Sequence, residues 1–218
     1  MKAGPLAVGI LLVVIAFSGC GRSSTPSSAT TTQVTTAPSG TGSAATTLPP
    51  GTPAALRGAH GSVLRAGELP GLVPAGPLTL STSARSLVAE DPPNQRASEA
   101  ASLERLGFVA GLNEQFKGDV ADEGGVSLVE QFRSAQGAKG EIAAQLKQAL
   151  RRGESEFTVA SIPGARGFGY SGSTTDANVA FAVGPYYYLV GFGAGGASRL
   201  TRAQLIAAAE SLYRRARA

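Results

Sequence analysis

The hydrophobic pattern divides the chain into three parts. An apolar run from Leu6 to Phe17 follows a single basic residue, Lys2. The tract from Gly21 to Ala55 is polar and shows neither a helical nor a strand period. From about Ser62 the apolar residues recur at regular spacings, so we expect one globular domain over residues 62–218.

Capping signals and apolar spacing predict three helices in that domain. Asp91 caps the first, Pro92 takes its first helical position, and Gly107 ends it. The second begins at Ser134, and Thr201 opens a capping box at the start of the third. The apolar stripe of the second helix repeats every four residues, at Ala138, Ile142, Leu146 and Leu150.

Alternating apolar residues predict strands between these helices. The expected strands cover residues 108–116, 126–132, 157–162, 167–171, 179–183 and 186–192. A polar loop is expected from Lys117 to Gly125, and Gly184-Pro185 forms a hairpin turn. The order of elements indicates an α+β domain, in which one antiparallel sheet carries about three helices, packed mainly on one face.

Composition narrows the chemistry of the chain. The sequence holds one Cys, one His and no Trp, so an intrachain disulfide framework and Cys/His metal or nucleophile sites are excluded. A formal charge of +4 is too modest to favour nucleic-acid binding. The tract from Gly21 to Ala55 is rich in Ser, Thr and Pro, with Arg22 as its one charged residue. Such a composition predicts a disordered stalk and is typical of O-glycosylated stalks.

The end of the first apolar run resembles the lipobox of bacterial lipoproteins. Phe17-Ser18-Gly19-Cys20 places two small residues before the single cysteine of the chain. The resemblance implies a signal peptide over residues 1–19, cleavage before Cys20, and a diacylglycerol on its sulfur. The lipid anchor and stalk would then occupy residues 20–61, and the protein would lie outside the cytoplasm, attached to the membrane. An ordinary secretory signal with a chance cysteine is the alternative.

Three segments of the domain are similar to small envelope lipoproteins of actinobacteria and their relatives. They are Leu69-Pro70-Gly71, Leu106-Gly107-Phe108 and Phe132-Arg133-Ser134-Ala135. Some of those proteins resemble PsbP/Mog1-like folds or the extracellular sensor domains of receptor kinases. The resemblance implies a non-catalytic binding or sensing module, and it assigns no functional residue.

Aromatic residues supply the candidate ligand-binding site. In a strand, Tyr186 and Tyr188 face opposite to Tyr187, so one set is expected under the last helix while the other lines a groove. Tyr170, Tyr186 and Tyr188 are therefore candidate contacts for a lipid or glycan ligand, or for an envelope protein partner. Ordinary core and surface roles for these tyrosines are the alternative.

The remaining polar motifs favour structural interpretations, with no catalytic residue, metal or cofactor expected. A dinucleotide-binding motif needs its last glycine in the first turn of a helix, but in Gly191-x-Gly193-x-x-Gly196 the next helix is capped five residues later, at Thr201, so this motif is interpreted as a flexible loop. A second motif, at Gly167, Gly169 and Gly172, is not followed by a helix. His60, the acidic loop residues and one glutamate pair are interpreted as solvated surface groups. The acidic groups are Asp119, Asp122, Glu123, Glu154 and Glu156.

Two further functions remain open. An envelope hydrolase with a carboxylate-based site would require a groove that holds two carboxylates of unequal burial. A structural spacer would require no ligand pocket. The basic end of the last helix, at Arg214, Arg215 and Arg217, suits the helix dipole, and it could also contact anionic lipid or wall phosphate.

Overall fold

A computed structural model describes residues 47–119, 123–170, 176–194 and 200–218. The predicted signal peptide, Cys20 and the tract up to residue 46 lie outside the described residues, as do Asp122, Gly172 and Gly196. In the described ranges, no helix is long and apolar enough to cross a membrane.

Eight strands of the described residues form one antiparallel sheet, which confirms the predicted α+β class. The strands are β1 (Leu72–Pro74), β2 (Thr79–Ser81), β3 (Phe108–Gly118), β4 (Glu123–Phe132), β5 (Ser155–Phe157), β6 (Arg166–Tyr170), β7 (Asp176–Val183) and β8 (Tyr186–Ala194). Their order across the sheet is β1-β3-β4-β8-β7-β6-β5, and β2 pairs with β3 beside β1. The longest strands, β3, β4, β7 and β8, are therefore next to one another in the sheet.

Helices cover both faces of this sheet, with three of the four on one face. They are α1 (Ala84–Leu87), α2 (Pro93–Leu106), α3 (Ala135–Arg151) and α4 (Arg202–Ala216). Residues of α1, α2 and α3 share a core with Phe132 and Tyr187. Residues of α4 share a second core with Tyr186 and Tyr188, on the opposite face.

Local signals fix the helix ends as the sequence predicted, with one exception. The Ser134 side chain accepts from the Gly137 amide, Thr201 and Gln204 form the capping box, and Gly107 ends α2 with φ 84°. The exception is the start of α2, because Pro92 takes the cap position and Asp91 lies one residue outside it. An extended Asp91 is the conformation that a following proline favours.

Two strand predictions were wrong. The loop expected over 117–125 is mostly strand, because β3 continues to Gly118 and β4 begins at Glu123. Of the strand expected over 157–162, only Phe157 lies in β5. Val159 and Ile162 are both buried in the core, in the irregular segment after β5. A regular strand could not bury both on one side, because residues three apart in a strand point to opposite faces.

The packed part of the chain begins upstream of Ser62, where the composition placed the start of the domain. Leu56 is fully buried in the core beneath α4, within a short 3₁₀ turn, Ala54–Leu56. A second 3₁₀ turn, Gly58–Gly61, follows it. Two tyrosines of β8 hold this segment to the sheet.

Candidate functional site

The tyrosines of β8 alternate between the two faces as predicted. The Tyr188 hydroxyl donates to the His60 carbonyl oxygen at 2.8 Å, and its ring stacks on Phe181 with centroids 4.9 Å apart. The Tyr186 hydroxyl donates to the Ala55 carbonyl oxygen at 3.1 Å, and its ring stacks on exposed His60 at 4.7 Å. The segment around residues 54–61 therefore occupies the place where a ligand groove was expected.

The two β8 tyrosines on the α4 side of the sheet belong to the core, since Tyr188 is 0% and Tyr186 is 8% exposed. Tyr170 is half-buried, and its hydroxyl donates to the Arg152 carbonyl oxygen at 2.9 Å. Each of the three predicted site residues therefore has a contact within the chain, and ligand binding at these residues stays a prediction. Tyr187 points the other way, into the core beneath α3.

Beneath α3 the structure places two buried carboxyl groups that the sequence analysis did not single out. Glu130 lies on β4 and is 2% exposed, and Glu141 lies on α3 and is 3% exposed. Glu130 is the cross-strand partner of Tyr187. Within the described residues, neither Glu130 Oε2 nor the Tyr187 hydroxyl has a hydrogen-bond partner.

Two further carboxyl groups lie between Glu141 and the protein surface, close enough for their charges to affect one another. Asp91 and Glu99 are half-buried, and Gln148 Nε2 donates to Glu99 Oε1 at 2.6 Å. Burial and the neighbouring Glu99 raise the pKa of Asp91 to about 7. Burial, followed by the charge of Glu99, raises the pKa of Glu141, although a hydrogen bond from Gln145 at 2.7 Å opposes the shift.

Glu130 is the most deeply buried of the four carboxyl groups. Burial, followed by the charge of Glu141, raises the pKa of Glu130 well above its ordinary value. The same two carboxyl groups, in addition to burial, raise the pKa of the Tyr187 phenol. A carboxyl that keeps its proton costs far less to bury than a carboxylate. We call Asp91, Glu99, Glu130 and Glu141 the acidic cluster. In the described ranges, no three His, Cys, Asp or Glu side chains are arranged to hold a metal ion.

A pattern in the sequence could have revealed Glu130. Alternation along β4 puts Leu128, Glu130 and Phe132 on one face, and Phe132 is a core residue. Glu141 follows the buried Ala138 by three residues, a spacing that keeps both on one side of a helix. Neither signal shows that the side chain is a functional group, because a single polar residue in an apolar pattern is equally common at a surface.

The predicted apolar stripe of α3 was only half right. Ala138 and Ile142 are buried, but Leu146 is half-buried and Leu150 is 49% exposed. Residues four apart on a helix are offset by about 40°, so three such steps carry the stripe about 120° around the axis. The inner side of α3 is completed by Glu141 and Ala149 instead.

The outward side of α3 carries a shallow groove of about 420 Å³. We call its lining the α3 outer face, and its residues are Ala143, Leu146, Lys147, Leu150 and Arg151. Lys139, Lys147 and Arg151 are the exposed charged residues of the helix, and the one carboxyl group of α3, Glu141, is buried. Among the described residues, none of these three cations forms a salt bridge.

Other predicted surface acids divide into two groups. Asp119 and Glu156 are exposed as expected, and Glu156 pairs with Arg166 at 2.7 Å. The interpretation of Glu154 as a surface residue was wrong, because its carboxylate is buried and accepts from Arg152 Nε at 2.8 Å. Glu123 is buried as well, at the first position of β4 rather than in a solvated loop.

The four motif glycines that the structure describes lie in strands rather than in a loop. Gly167 and Gly169 lie in β6, and Gly191 and Gly193 lie in β8. A Cβ atom on Gly169 would come within 2.0 Å of the Asp176 carbonyl oxygen on β7. Close approach of neighbouring backbones therefore explains at least this glycine, without a phosphate ligand.

The basic C-terminal residues are largely engaged within the domain. Arg215 forms a bidentate pair with Glu68, in which Nη2 donates to Oε2 at 2.9 Å. Burial works against ionisation of Glu68, but the hydrogen bonds from Arg215, the Arg65 amide and Ser211, together with the charge of Arg215, lower the pKa of Glu68. The guanidinium of Arg217 lies 5.4 Å from the centre of the Tyr213 ring.

Comparison with known proteins adds little to this description. No family model matches the chain, and no characterised protein matches its sequence. Among solved structures, the extracellular domain of PknH from Mycobacterium tuberculosis matches with a TM-score of 0.38 and 9% identity. The match covers 66% of this chain and 86% of that domain. A likeness of this size carries no argument about fold or function.

Proposed function

We propose that this protein is attached to the outer side of the cell membrane by lipid on Cys20, and that its α+β domain is a non-catalytic binding module. Cys20 supports the anchor because it is the only cysteine and stands where a lipobox requires one. The segment between Cys20 and Thr47 then serves as the tether.

The α3 outer face is the binding surface in this proposal. The observation that carries the proposal is that α3 buries a charged residue type and exposes an apolar one, since Glu141 is buried and Leu150 is 49% exposed. Full burial of a leucine contributes roughly 1.5–3 kcal/mol, and burial of a polar group costs free energy. An arrangement that gives up stability in both ways is expected where a surface is kept for a partner.

Metabolic labelling tests the anchor. With a palmitate analogue, the wild-type protein should take up label and the Cys20→Ala variant should not. Mass spectrometry should find a mature N-terminus at the modified cysteine. Equal label in the two proteins, or a mature N-terminus elsewhere, would contradict the proposed attachment.

Site-specific photocrosslinking in intact cells tests the surface. A photoreactive amino acid at Leu150 should form an adduct with lipid, protein or glycan. The matched control is the same amino acid at Ala203, an exposed position on α4 at the opposite face of the sheet. Equal yields at the two positions would show that α3 has no special role in binding.

A carboxylate-based hydrolase is the second candidate, and the acidic cluster is the observation that favours it. Asp91 and Glu99 are half-buried while Glu130 and Glu141 are buried, which gives carboxyl groups in unequal environments. None of the four lines the groove on α3. An exposed fraction of 2% for Glu130 and 3% for Glu141 prevents a substrate from reaching the inner pair in this conformation. We therefore prefer the binding module.

A further inference from the structure

We propose that the α3 outer face docks on the anionic phospholipid surface of the membrane to which Cys20 attaches the chain. This proposal rests on the lipid anchor of the proposed function and names the partner of the α3 outer face. Three features support it: the exposed cations of α3, the apolar residues beside them, and the length of chain between Cys20 and Leu48.

Charge on the exposed side of α3 has a single sign. Lys139, Lys147 and Arg151 are exposed, and Glu141, which would offset them, is buried. None of these three cations takes part in an ion pair with another described residue. Cations close to a membrane that contains anionic lipid are each attracted to it, and the attraction adds over the cluster.

Apolar groups stand between these cations. Ala143, Leu146 and Leu150 follow the spacing i, i+3, i+7, so they lie along one line of the helix surface. Lys147 and Arg151 each follow a leucine of that line. Leucines flanked by basic residues are characteristic of helices that lie in the plane of a membrane interface. Leu150, which is 49% exposed, is the side chain placed to enter the acyl region, whereas the half-buried Leu146 also packs against the core beneath α3.

Chain length allows this face to reach the membrane. From Cys20 to Leu48 the chain has 28 steps, which extend to at most about 100 Å. A domain of this size has a radius of gyration of about 16 Å. The connection is therefore long enough for any face of the domain to meet the bilayer. Attachment also raises the local concentration to the millimolar range, so a weak contact is sufficient.

The opposite face of the domain provides a contrast. On α4, Arg215 is paired with Glu68, and Arg217, directly after the helix, lies on the Tyr213 ring. Arg202 lies over the Phe157 ring, with 4.8 Å between its guanidinium carbon and the centroid. Among the described residues, Arg214 is the one exposed arginine of α4 without an ion pair or a ring contact, whereas α3 has three exposed cations without an ion pair. This difference moves the expected lipid contact from the C-terminal helix to α3.

The test uses the full lipidated protein reconstituted in vesicles. In Ala143→Cys, a polarity-sensitive fluorophore is attached to the new thiol, since lipid blocks Cys20. Ala203→Cys, labelled in the same way, is the matched control on α4. Vesicles contain phosphatidylcholine alone or with 30% phosphatidylglycerol, and brominated lipid serves as a contact quencher. We expect a blue shift and quenching at position 143 in anionic vesicles only, and neither change at position 203.

Charge variants make the expectation quantitative. Neutralising both cations with Lys147→Gln and Arg151→Gln should lower the docking constant about 25-fold, about fivefold for each charge. Circular dichroism should show an unchanged fold, because both side chains are exposed. Addition of 0.5 M salt should weaken docking in the same direction.

Each other outcome has a definite meaning. Equal signals at 143 and 203, or equal signals in neutral and anionic vesicles, overturn membrane docking and leave the anchor intact. A signal at 143 that appears in native membranes but not in protein-free vesicles shows that a protein covers α3, and it too overturns docking. A chain that does not float with neutral vesicles has no lipid, which overturns the anchor and this proposal together.

Discussion

Glu130 on β4 and Tyr187 on β8 are direct cross-strand partners, and both side chains are buried from solvent. Neither Glu130 Oε2 nor the Tyr187 hydroxyl has a hydrogen-bond partner among the described residues. A carboxylate in that position would be both desolvated and close to Glu141. Burial and the nearby Glu141 therefore favour the protonated form of Glu130 in the folded protein and raise its pKa.

Stability should fall as the pH rises. Burial raises the folded-state pKa of Glu130 and Glu141, that of Asp91 to about 7, and that of Asp176 to about 6. A raised folded-state pKa means that the folded protein binds protons more tightly, so the stabilisation is complete below the unfolded pKa, near 4. It is lost as the pH rises through the folded-state values. Urea unfolding at pH 5 and pH 8 should give the larger free energy at pH 5.

Glu130→Gln isolates the contribution of the deepest carboxyl group. An amide has no proton to lose, so the variant should be more stable than the wild type at pH 8 and should show a shallower pH dependence. Glu68, whose pKa is lowered, acts in the opposite direction in both proteins and cancels in the comparison. A variant that is less stable at pH 8 would show that Glu130 is ionised and paired. Under the hydrolase alternative, the same change would abolish activity.

The three consecutive tyrosines should respond differently to loss of the hydroxyl. Tyr187→Phe removes an unpartnered hydroxyl and should be neutral or stabilising. Tyr186→Phe and Tyr188→Phe each remove a hydrogen bond to the segment around residues 54–61 and should cost about 1 kcal/mol. Denaturant midpoints measured under identical conditions provide the comparison. An equal loss in all three variants would argue against the alternation along β8.

Truncation on α3 should separate its inner and outer sides. Ile142→Ala removes a core side chain that is 7% exposed and should cost about 2–5 kcal/mol. Leu150→Ala truncates a side chain that is 49% exposed and should change the free energy of unfolding by about 0.5 kcal/mol or less. Chemical denaturation gives both values. Similar costs at the two positions would mean that the helix is rotated relative to this description.

The loss of stability when a sheet glycine is replaced by alanine should depend on the space around that glycine. Gly169→Ala brings a Cβ atom within 2.0 Å of the Asp176 carbonyl oxygen, so β6 or β7 must shift, at a cost of about 1–3 kcal/mol. Gly193→Ala has no atom within 4 Å of the added group and serves as the control, with an effect below about 1 kcal/mol. Thermal unfolding of the two variants tests whether backbone packing explains Gly169. A larger loss in the Gly193 variant would reject that explanation.

Elements marked by local chemistry were predictable from the sequence. The capping box at Thr201, the cap at Ser134 and the left-handed Gly107 each depend on a few neighbouring residues. A loop was predicted at Gly124 and Gly125 because glycine is also a turn residue. In the fold, a Cβ atom on Gly125 would come within 2.8 Å of Leu72 Cδ1, a contact made by residues far apart in the chain.

The candidate site depended on tertiary contacts and was not predictable. Four-residue spacing along α3 looks like a core stripe whichever side of the helix faces the sheet. Rotation of α3 decides that Glu141 is inside and Leu150 outside, and that rotation is set by packing against α2 and the sheet. Likewise, Tyr186 and Tyr188 were correctly placed on one face, but the segment that covers them was interpreted as part of a stalk.

The attachment of the Ala55 and His60 carbonyl groups to β8 has a mechanical consequence. Tension along the chain upstream of residue 55 would load the buried side chain of Leu56 and the hydrogen bonds from the hydroxyl groups of Tyr186 and Tyr188. Their strand is hydrogen-bonded on both sides, to β4 and β7, so the load enters the middle of the sheet. Because two side-chain hydrogen bonds are weaker than the two backbone ladders of β8, such tension would release residues 54–61 before it separated the strand from the sheet.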